Sequence, residues 1–596
     1  MSARFSHAMP FGAQLTDTGV RFRLWAPGEE KIGLVLEGGG ERRLPMERLP
    51  GGWFELTSAE AHAGSRYRYA LGDGTRVPDP ASRFQPEDVN GASEVVDPCA
   101  CEWTAAAWCG RPWHEAICHE IHLGAFTPTG DYDGALAKLD RLCALGVSAL
   151  ELMPLSDFAG GRNWGYDGAL PFAPDASYGR PEALKRLIDA AHARGLMILL
   201  DVVYNHFGPS GDYLARYAPG FFTDRYRTPW GDAIDFACRE ARDFFIHNAL
   251  YWLEEYRFDG LRLDAVDQIH DPSPTHILEE IAAVVRQRID GRYVHLVLEN
   301  DDNAAHYLER DPDDKPRIYT AQWNDDFHHA AHVVATGEQD GYYADYVKNP
   351  VTALARALAE GFVYQGEYSG FRDRPRGEPS ARLPPVAFVN FLQNHDQVGN
   401  RARGERLTML APAARLRALY ALLLLSPAVP LLFMGEEWAA SSPFLFFCDF
   451  DRELNAAVRE GRRDEFERFA AFRGAKARER IPDPTDARTF DRSRLAWDES
   501  AEPPHAEWFA FIRGLIALRR EELVPSLGAM GSGRAEFFAE SAFAVAWPFA
   551  DGEGWRITAN LGDTGVPFSP PSGRIVYGGE SADALLPWSV RVSVDE

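Results

Sequence analysis

The sequence predicts an α/β fold: a (β/α)8 TIM barrel preceded by an N-terminal immunoglobulin-like β-sandwich and followed by a small C-terminal β domain. Three observations carry this. Eight apolar strand-like runs alternate with amphipathic helical ones through the middle of the chain. The residues before them alternate apolar and polar with period two between Gly and Pro turn signals, and the same texture returns at the end. A chain of 596 residues is long enough for two or three such units.

The sandwich is expected over residues 1–97, from "VRFRLWAP", "KIGLVLEGG", "GWFELT" and "SRYRYALGDG". The barrel is expected over 98–522. Its strands are read from "AICHEIHLG", "VSALELMPL", "LMILLDVVYNH", "FDGLRLDAV", "YVHLVLEN", "RIYTAQWND", "PVAFVNFLQNHD" and "PLLFMGEE". Helical periodicity lies between several of them, in "GALAKLDRLCALG", "PEALKRLIDAAHARG", "ARDFFIHNALYWLEEY", "THILEEIAAVVRQRI" and "AARLRALYALLLL", and a last helix, "HAEWFAFIRGLIALRREE", ends near Glu522. A doubly wound open sheet is the alternative, but no Gly-x-Gly-x-x-Gly loop follows the early strands. The C-terminal β domain is expected over 523–596, with strands in "FFAESAFAVAWPF", "WRITANLGD", "GRIVYGG" and "VRVSV".

The net charge of −26 opposes binding to nucleic acid or an anionic membrane, and neither partner is expected. A neutral or cationic substrate suits it better. The seven cysteines, Cys99, Cys101, Cys109, Cys118, Cys143, Cys238 and Cys448, show no paired Cys-x-x-Cys pattern, which points to reduced thiols in a cytoplasmic protein. The start, "MSARFSHAMPFGAQL", lacks a continuous apolar segment. The most membrane-like run, Ala418 to Gly435, is broken by Pro427 and Pro430 and reads as a buried helix, a turn and a buried strand.

Polar residues gather at the C-terminal ends of the predicted strands, where a barrel builds its active face. They are Asp201, Asn205 and His206 on the third run, Arg262 and Asp264 on the fourth, Glu299 on the fifth, and Asn394, His395 and Asp396 on the seventh. Arg262 and Asp264 are two residues apart on a strand, so they share a face, and the guanidinium should lower the pKa of Asp264 and keep it an anionic nucleophile. Glu299, packed among other carboxylates, should hold its proton near neutrality as a general acid requires. Asp396 would hydrogen-bond ring hydroxyls as an oxocarbenium-like transition state forms. Two carboxyls with opposed roles make a glycosidase, retaining if they stand about 5 to 5.5 Å apart. One acid at a strand end is ordinarily a salt-bridge partner. Three of them with Arg262, His206 and His395 on one barrel form a constellation. A metal-dependent hydrolase is the rival reading, but Arg262 in the centre would repel a cation and "EIH" at Glu120 to His122 lacks paired histidines, so neither a metal nor a cofactor is expected.

With these residues placed, the chain resembles the α-amylase family of glycoside hydrolases. The motifs are "DVVYNH" (Asp201 to His206), "GLRLDAV" (Gly260 to Val266), "VLEN" (Val297 to Asn300) and "FLQNHD" (Phe391 to Asp396), in that family's order, with "PLLFMGEE" as its eighth strand. The resemblance implies Asp264 as nucleophile, Glu299 as acid/base and Asp396 as transition-state stabiliser. It also implies His206, Arg262 and His395 around the sugar next to the cleaved bond, and Tyr166 in "NWGYDG" stacked beneath that sugar. Within the family the chain is most similar to the branch that hydrolyses maltooligosyltrehalose. That likeness rests on "RFQPEDVNGASEVVDP", "GPSGDYLARYAPGFFTDRYRTPWG", "AQWNDDFHHAAHVVATGE" with "GYYADY", and "NHDQVGNRARGERL". It implies cleavage of the α-1,4 bond joining a maltooligosaccharide to a terminal trehalose, and a pathway partner in the synthase that forms the trehalose end. Two positions depart from the likeness: Cys118, where relatives often carry an aromatic residue, and Asp267, where many carry His. Alternatives are a branching or debranching enzyme of the same family, or a noncatalytic glycan-binding protein, which would be expected to have lost one of the three carboxylates. The "WNDDFHH" loop, Trp323 to His329, would rim the bowl after the sixth strand and puts Asp325 in a position to select trehalose.

Overall fold

The computed structural model describes residues 4–38, 42–228, 230–466, 479–549, 554–569, 572–579 and 583–595. The remainder, which includes parts of all three expected domains, lies outside the described residues.

Alternation builds the N-terminal sandwich. In Gly19–Trp25 the residues Val20, Phe22 and Leu24 are buried while Arg21, Arg23 and Trp25 are partly exposed. This strand pairs with Gly12–Thr16 and Trp53–Ser58 in a four-stranded sheet, and Gly33–Glu37 with Arg66–Ala70 centres a second one.

Eight parallel strands close the barrel: β1 Cys118–Ile121, β2 Ala149–Leu152, β3 Met197–Val202, β4 Gly260–Leu263, β5 His295–Leu298, β6 Ala321–Trp323, β7 Phe388–Phe391 and β8 Val429–Phe433. Cys118, Ala149, Leu199, Val297, Trp323, Phe391 and Leu431 form one apolar cluster, so the barrel is filled and not a pore. Gly260 allows β4 and β5 to close up, since a Cβ there would lie 2.4 Å from the His295 carbonyl oxygen. The membrane-like run resolves into helix Ala413–Leu425 and strand β8. From Ala418 on that helix is buried throughout, and its Leu425 carbonyl accepts a 2.9 Å bond from Trp555 Nε1 of the C-terminal sheet. Among the described residues no helix is long and apolar enough to cross a membrane.

Two expectations change. The "WNDDFHH" segment is not a loop: helix Asp325–Thr336 begins inside it, capped by the Asn324 side chain. The helix is hard to read because its buried face is made of Phe327, His328, Ala331 and His332, with two acids in the first turn that suit the helix dipole. The "FFAESAFAVAWPF" run belongs to a hairpin, Arg534–Ala539 with Ala542–Pro548, and not to one strand. The hairpin continues through Gly554–Asn560 and Ser589–Asp595 to Gly573–Tyr577, giving a five-stranded C-terminal sheet.

Candidate active site

Strand register places the acids. Asp201 on β3 and Arg262 on β4 are cross-strand partners, so their side chains stand side by side inside the barrel. Beyond the strand ends the ladder continues by one residue: Asp264 N–H donates to the Val202 carbonyl and Glu299 N–H to the Leu263 carbonyl, each at 3.0 Å. Both carboxyls therefore emerge at one level of the barrel mouth.

Arg262 is fully buried, its guanidinium 4.1 Å from the centre of the Trp323 ring. Nη1 donates to Asp201 Oδ2 at 2.7 Å and to Asp264 Oδ1 at 2.8 Å, and Nη2 lies 2.8 Å from Glu299 Oε2. Asn205 Nδ2 donates to the other oxygen of Asp264 at 3.1 Å. Ala265 follows in the left-handed region, φ 39° and ψ 52°, which costs a non-glycine residue about 1–2 kcal/mol. That turn aims its N–H at Glu299 Oε2, 2.9 Å away.

Burial dominates the titration of both acids. At Glu299 it is opposed by Arg262 and reinforced by Asp264 and Asp396, and the carboxyl is pushed up to about 8. At Asp264 burial also raises the pKa, and Asp201 and Asp396 add to the rise. The expectation that Arg262 would lower the Asp264 pKa is thus corrected: the guanidinium pulls in that direction, but desolvation outweighs it. Asp264 still has donors on both oxygens, the Arg262 Nη1–H and the Asn205 amide, and these favour its anion.

The seventh strand ends in a short helix, His395–Gly399, capped by Asn394 Oδ1, which accepts from Gln397 N–H at 3.0 Å. The cap fixes His395 and Asp396 at the mouth. His395 Nδ1 donates to Glu120 Oε1 at 2.5 Å, and Nε2 lies 3.5 Å from Asp396 Oδ2. Burial alone would neutralise this imidazole, but Asp396 and Glu120 overcome it and raise its pKa to about 9. Tyr166 stacks on His395, ring centres 5.0 Å apart, and its hydroxyl donates to Asp201 Oδ2 at 2.6 Å. The Tyr166 carbonyl accepts from His206 Nε2 at 2.9 Å. Trp230, from the turn between strands Phe222–Thr228 and Gly231–Ile234, lies flat on His206 with 3.7 Å between ring centres while 47% exposed.

Tyr166, His206, Asp264, Glu299, His395 and Asp396 line one cleft of about 310 Å³, with Trp230 on its rim. Arg262 lies beneath them. Asp325 stands apart, at the first turn of its helix, where Gln397 Nε2 donates to Oδ1 at 3.4 Å; burial, with Glu299 and Asp301 nearby, raises its carboxyl well above the usual range. Asp267 carries a carboxyl raised by burial, bonded at 2.6 Å by Gln268 Nε2. Cys118 is buried among the apolar side chains of the barrel interior. Among the described residues no group of three or more His, Cys, Asp or Glu side chains is placed to hold a metal ion.

Sequence reasoning passed over two residues. Glu120 enters the sequence reading only as part of "EIH", although a carboxylate on a buried strand requires a partner. Trp230 sits in a hairpin whose approach to His206 has no local signature.

The α-amylase catalytic-domain profile matches residues 81–250, carbohydrate-binding module 48 (the isoamylase N-terminal domain) matches 10–100, and a domain of unknown function, DUF3459, matches 530–592. The malto-oligosyltrehalose trehalohydrolase of Deinococcus radiodurans is 44% identical over 513 residues, covering 85% of this chain and 82% of that one. The enzyme of the same name from Saccharolobus solfataricus is 40% identical over 519 residues, covering 86% and 87%. A Salmonella typhimurium crystal structure described as a candidate alpha amylase superposes with a TM-score of 0.95 at 46% identity, over 99% of this chain and 100% of that one.

Proposed function

Because the chain belongs to the malto-oligosyltrehalose trehalohydrolases of the α-amylase family, we propose that it cleaves the α-1,4 bond between a maltooligosaccharide and its terminal trehalose, releasing free trehalose. The observation that carries the reading is one guanidinium 2.8 Å from both Asp264 and Glu299, whose carboxyls line the same cleft.

Asp264 attacks the anomeric carbon while Glu299, protonated because its pKa is about 8, gives its proton to the departing trehalose oxygen. The products of this half are trehalose and a glycosyl ester on Asp264. Glu299, now a carboxylate, takes a proton from water; the water oxygen bonds to the anomeric carbon, and the ester bond breaks to return Asp264 and a free glucan. Asp396 and the charged His395 hydrogen-bond ring hydroxyls as positive charge develops on the ring, and Tyr166 supports its apolar face. Arg262 stays bonded to Asp264 throughout, so the nucleophile is positioned before substrate arrives.

The seven cysteines, all among the described residues, are unpaired, which supports a reducing, cytoplasmic compartment. The substrate then comes from a synthase that converts the reducing end of a maltooligosaccharide into trehalose. Incubation with maltooligosyltrehalose, followed by chromatography, tests the reading. Trehalose plus a shortened glucan is the expected result, whereas new α-1,6 links or debranched chains from glycogen would replace it with a branching or debranching activity.

A further inference from the structure

Glu120 lies on β1 with its side chain turned inward, fully buried, and its Oε1 receives the Nδ1–H of His395 while its Oε2 accepts the His395 backbone N–H at 3.0 Å. One carboxylate thus holds a histidine by ring and by main chain, across the seam from β1 to the end of β7. Such a two-point grip fixes both the rotamer of the ring and its tautomer. With Nδ1 committed to Glu120, Nε2 faces Asp396 and the cleft.

The other groups around the pair do not compete for this role. Glu151 is the register partner of Glu120 on β2, buried, with Oε1 unbonded; burial and then Glu120 itself raise its pKa well above the usual range, so it stays neutral. His122 donates from Nε2 to the Asn163 carbonyl at 2.8 Å and accepts the Ala125 N–H on Nδ1, and burial lowers its pKa to about 4, so it too is uncharged. The β8 partner of Glu120 is Phe433, and the rings packed on His395 are Trp164, Tyr166 and Trp323. Arg262, whose charge opposes a second cation here, is committed to Asp201 and Asp264.

We propose that Glu120 is a positioning residue for the glycosidase reaction: its buried carboxylate holds His395 as an imidazolium whose Nε2–H is presented to Asp396 and the bound sugar. This rests on the reading of the cleft as the glycosidase site. Glu120 touches neither substrate nor the reacting carboxyls, and acts only through His395.

Glu120→Gln is the discriminating variant, since the amide keeps the shape and can still accept the backbone N–H but carries no charge. In protein labelled with 15N-histidine, His395, assigned by its absence from His395→Gln, is expected to titrate roughly one pH unit or more lower in the variant. With maltooligosyltrehalose, kcat is expected to fall about ten- to a hundredfold with KM changed less. An unchanged His395 titration in a folded Glu120→Gln protein would overturn the inference, as would a kcat equal to that of wild type. The NMR titration needs no substrate, so it stands or falls separately from the assignment of trehalose release. Glu120→Asp keeps the charge on a shorter arm. If the Gln variant does not fold, an Asp variant that retains the high His395 pKa supports the role, and one that loses it overturns it.

Discussion

Arg262 places its Nη1 2.8 Å from Asp264 Oδ1 and its Nη2 2.8 Å from Glu299 Oε2, so a single rigid group sets the spacing between the proposed nucleophile and the proposed acid. A planar fork with two fixed nitrogens does this where lysine, a point charge on a flexible stem, cannot. Arg262→Lys is therefore expected to lower kcat by about a hundredfold or more, through misplacement of both carboxyls.

Replacing Asp264 by Asn removes the oxygen proposed to attack but keeps the side-chain volume. Trehalose release is expected to drop by about a thousandfold or more with the fold intact by circular dichroism. The same change removes an anion next to Glu299, so the Glu299 pKa falls. Wild-type rates from the variant would refute the nucleophile assignment.

Glu299→Gln removes the proposed proton donor. Hydrolysis of maltooligosyltrehalose is expected to slow by about 10²–10⁴-fold, whereas a glycosyl fluoride, whose leaving group needs little protonation, should lose much less in the first step. Equal losses on the two substrates would show that Glu299 does not act as the acid.

The pH profile follows from the same residue. Glu299 must be protonated to donate, so kcat/KM should fall as pH rises through about 8. Stability should move the same way. Because the folded pKa lies above the unfolded value, the native state holds a proton that the unfolded chain releases, and stability is lost as pH rises from about 4.3 towards that folded pKa. Glu299→Gln lacks this titration, so its melting temperature, measured by calorimetry, should gain on wild type between acid and alkaline pH.

Asp325 and Trp230 test the rim. Asp325→Asn is expected to narrow the preference for maltooligosyltrehalose over plain maltooligosaccharides, read from product ratios in competition. Trp230→Ala removes the ring stacked on His206; KM should rise by about tenfold, while the melting temperature should change little because the ring is half exposed.

The order of residues alone already determined much of this protein. Period-two alternation in Gly19–Trp25 and continuous apolar runs such as Met197 to Leu200 follow from how much of each strand face is buried, so the sandwich and barrel strands could be read locally. Arg262 and Asp264 share a face for the same reason. Tertiary structure decided the rest. The pKa of Asp264 is set by how far closure of the barrel excludes water, a quantity no spacing encodes, and it reverses the effect expected from Arg262 alone. The partnership of Glu120 with His395 joins residues 275 positions apart, and the stack of Trp230 on His206 depends on where a hairpin folds back. Local periodicity reports which side of an element meets the core; only the closed barrel fixes which charges then face each other, because electrostatic energy depends on distance and burial and not on sequence separation.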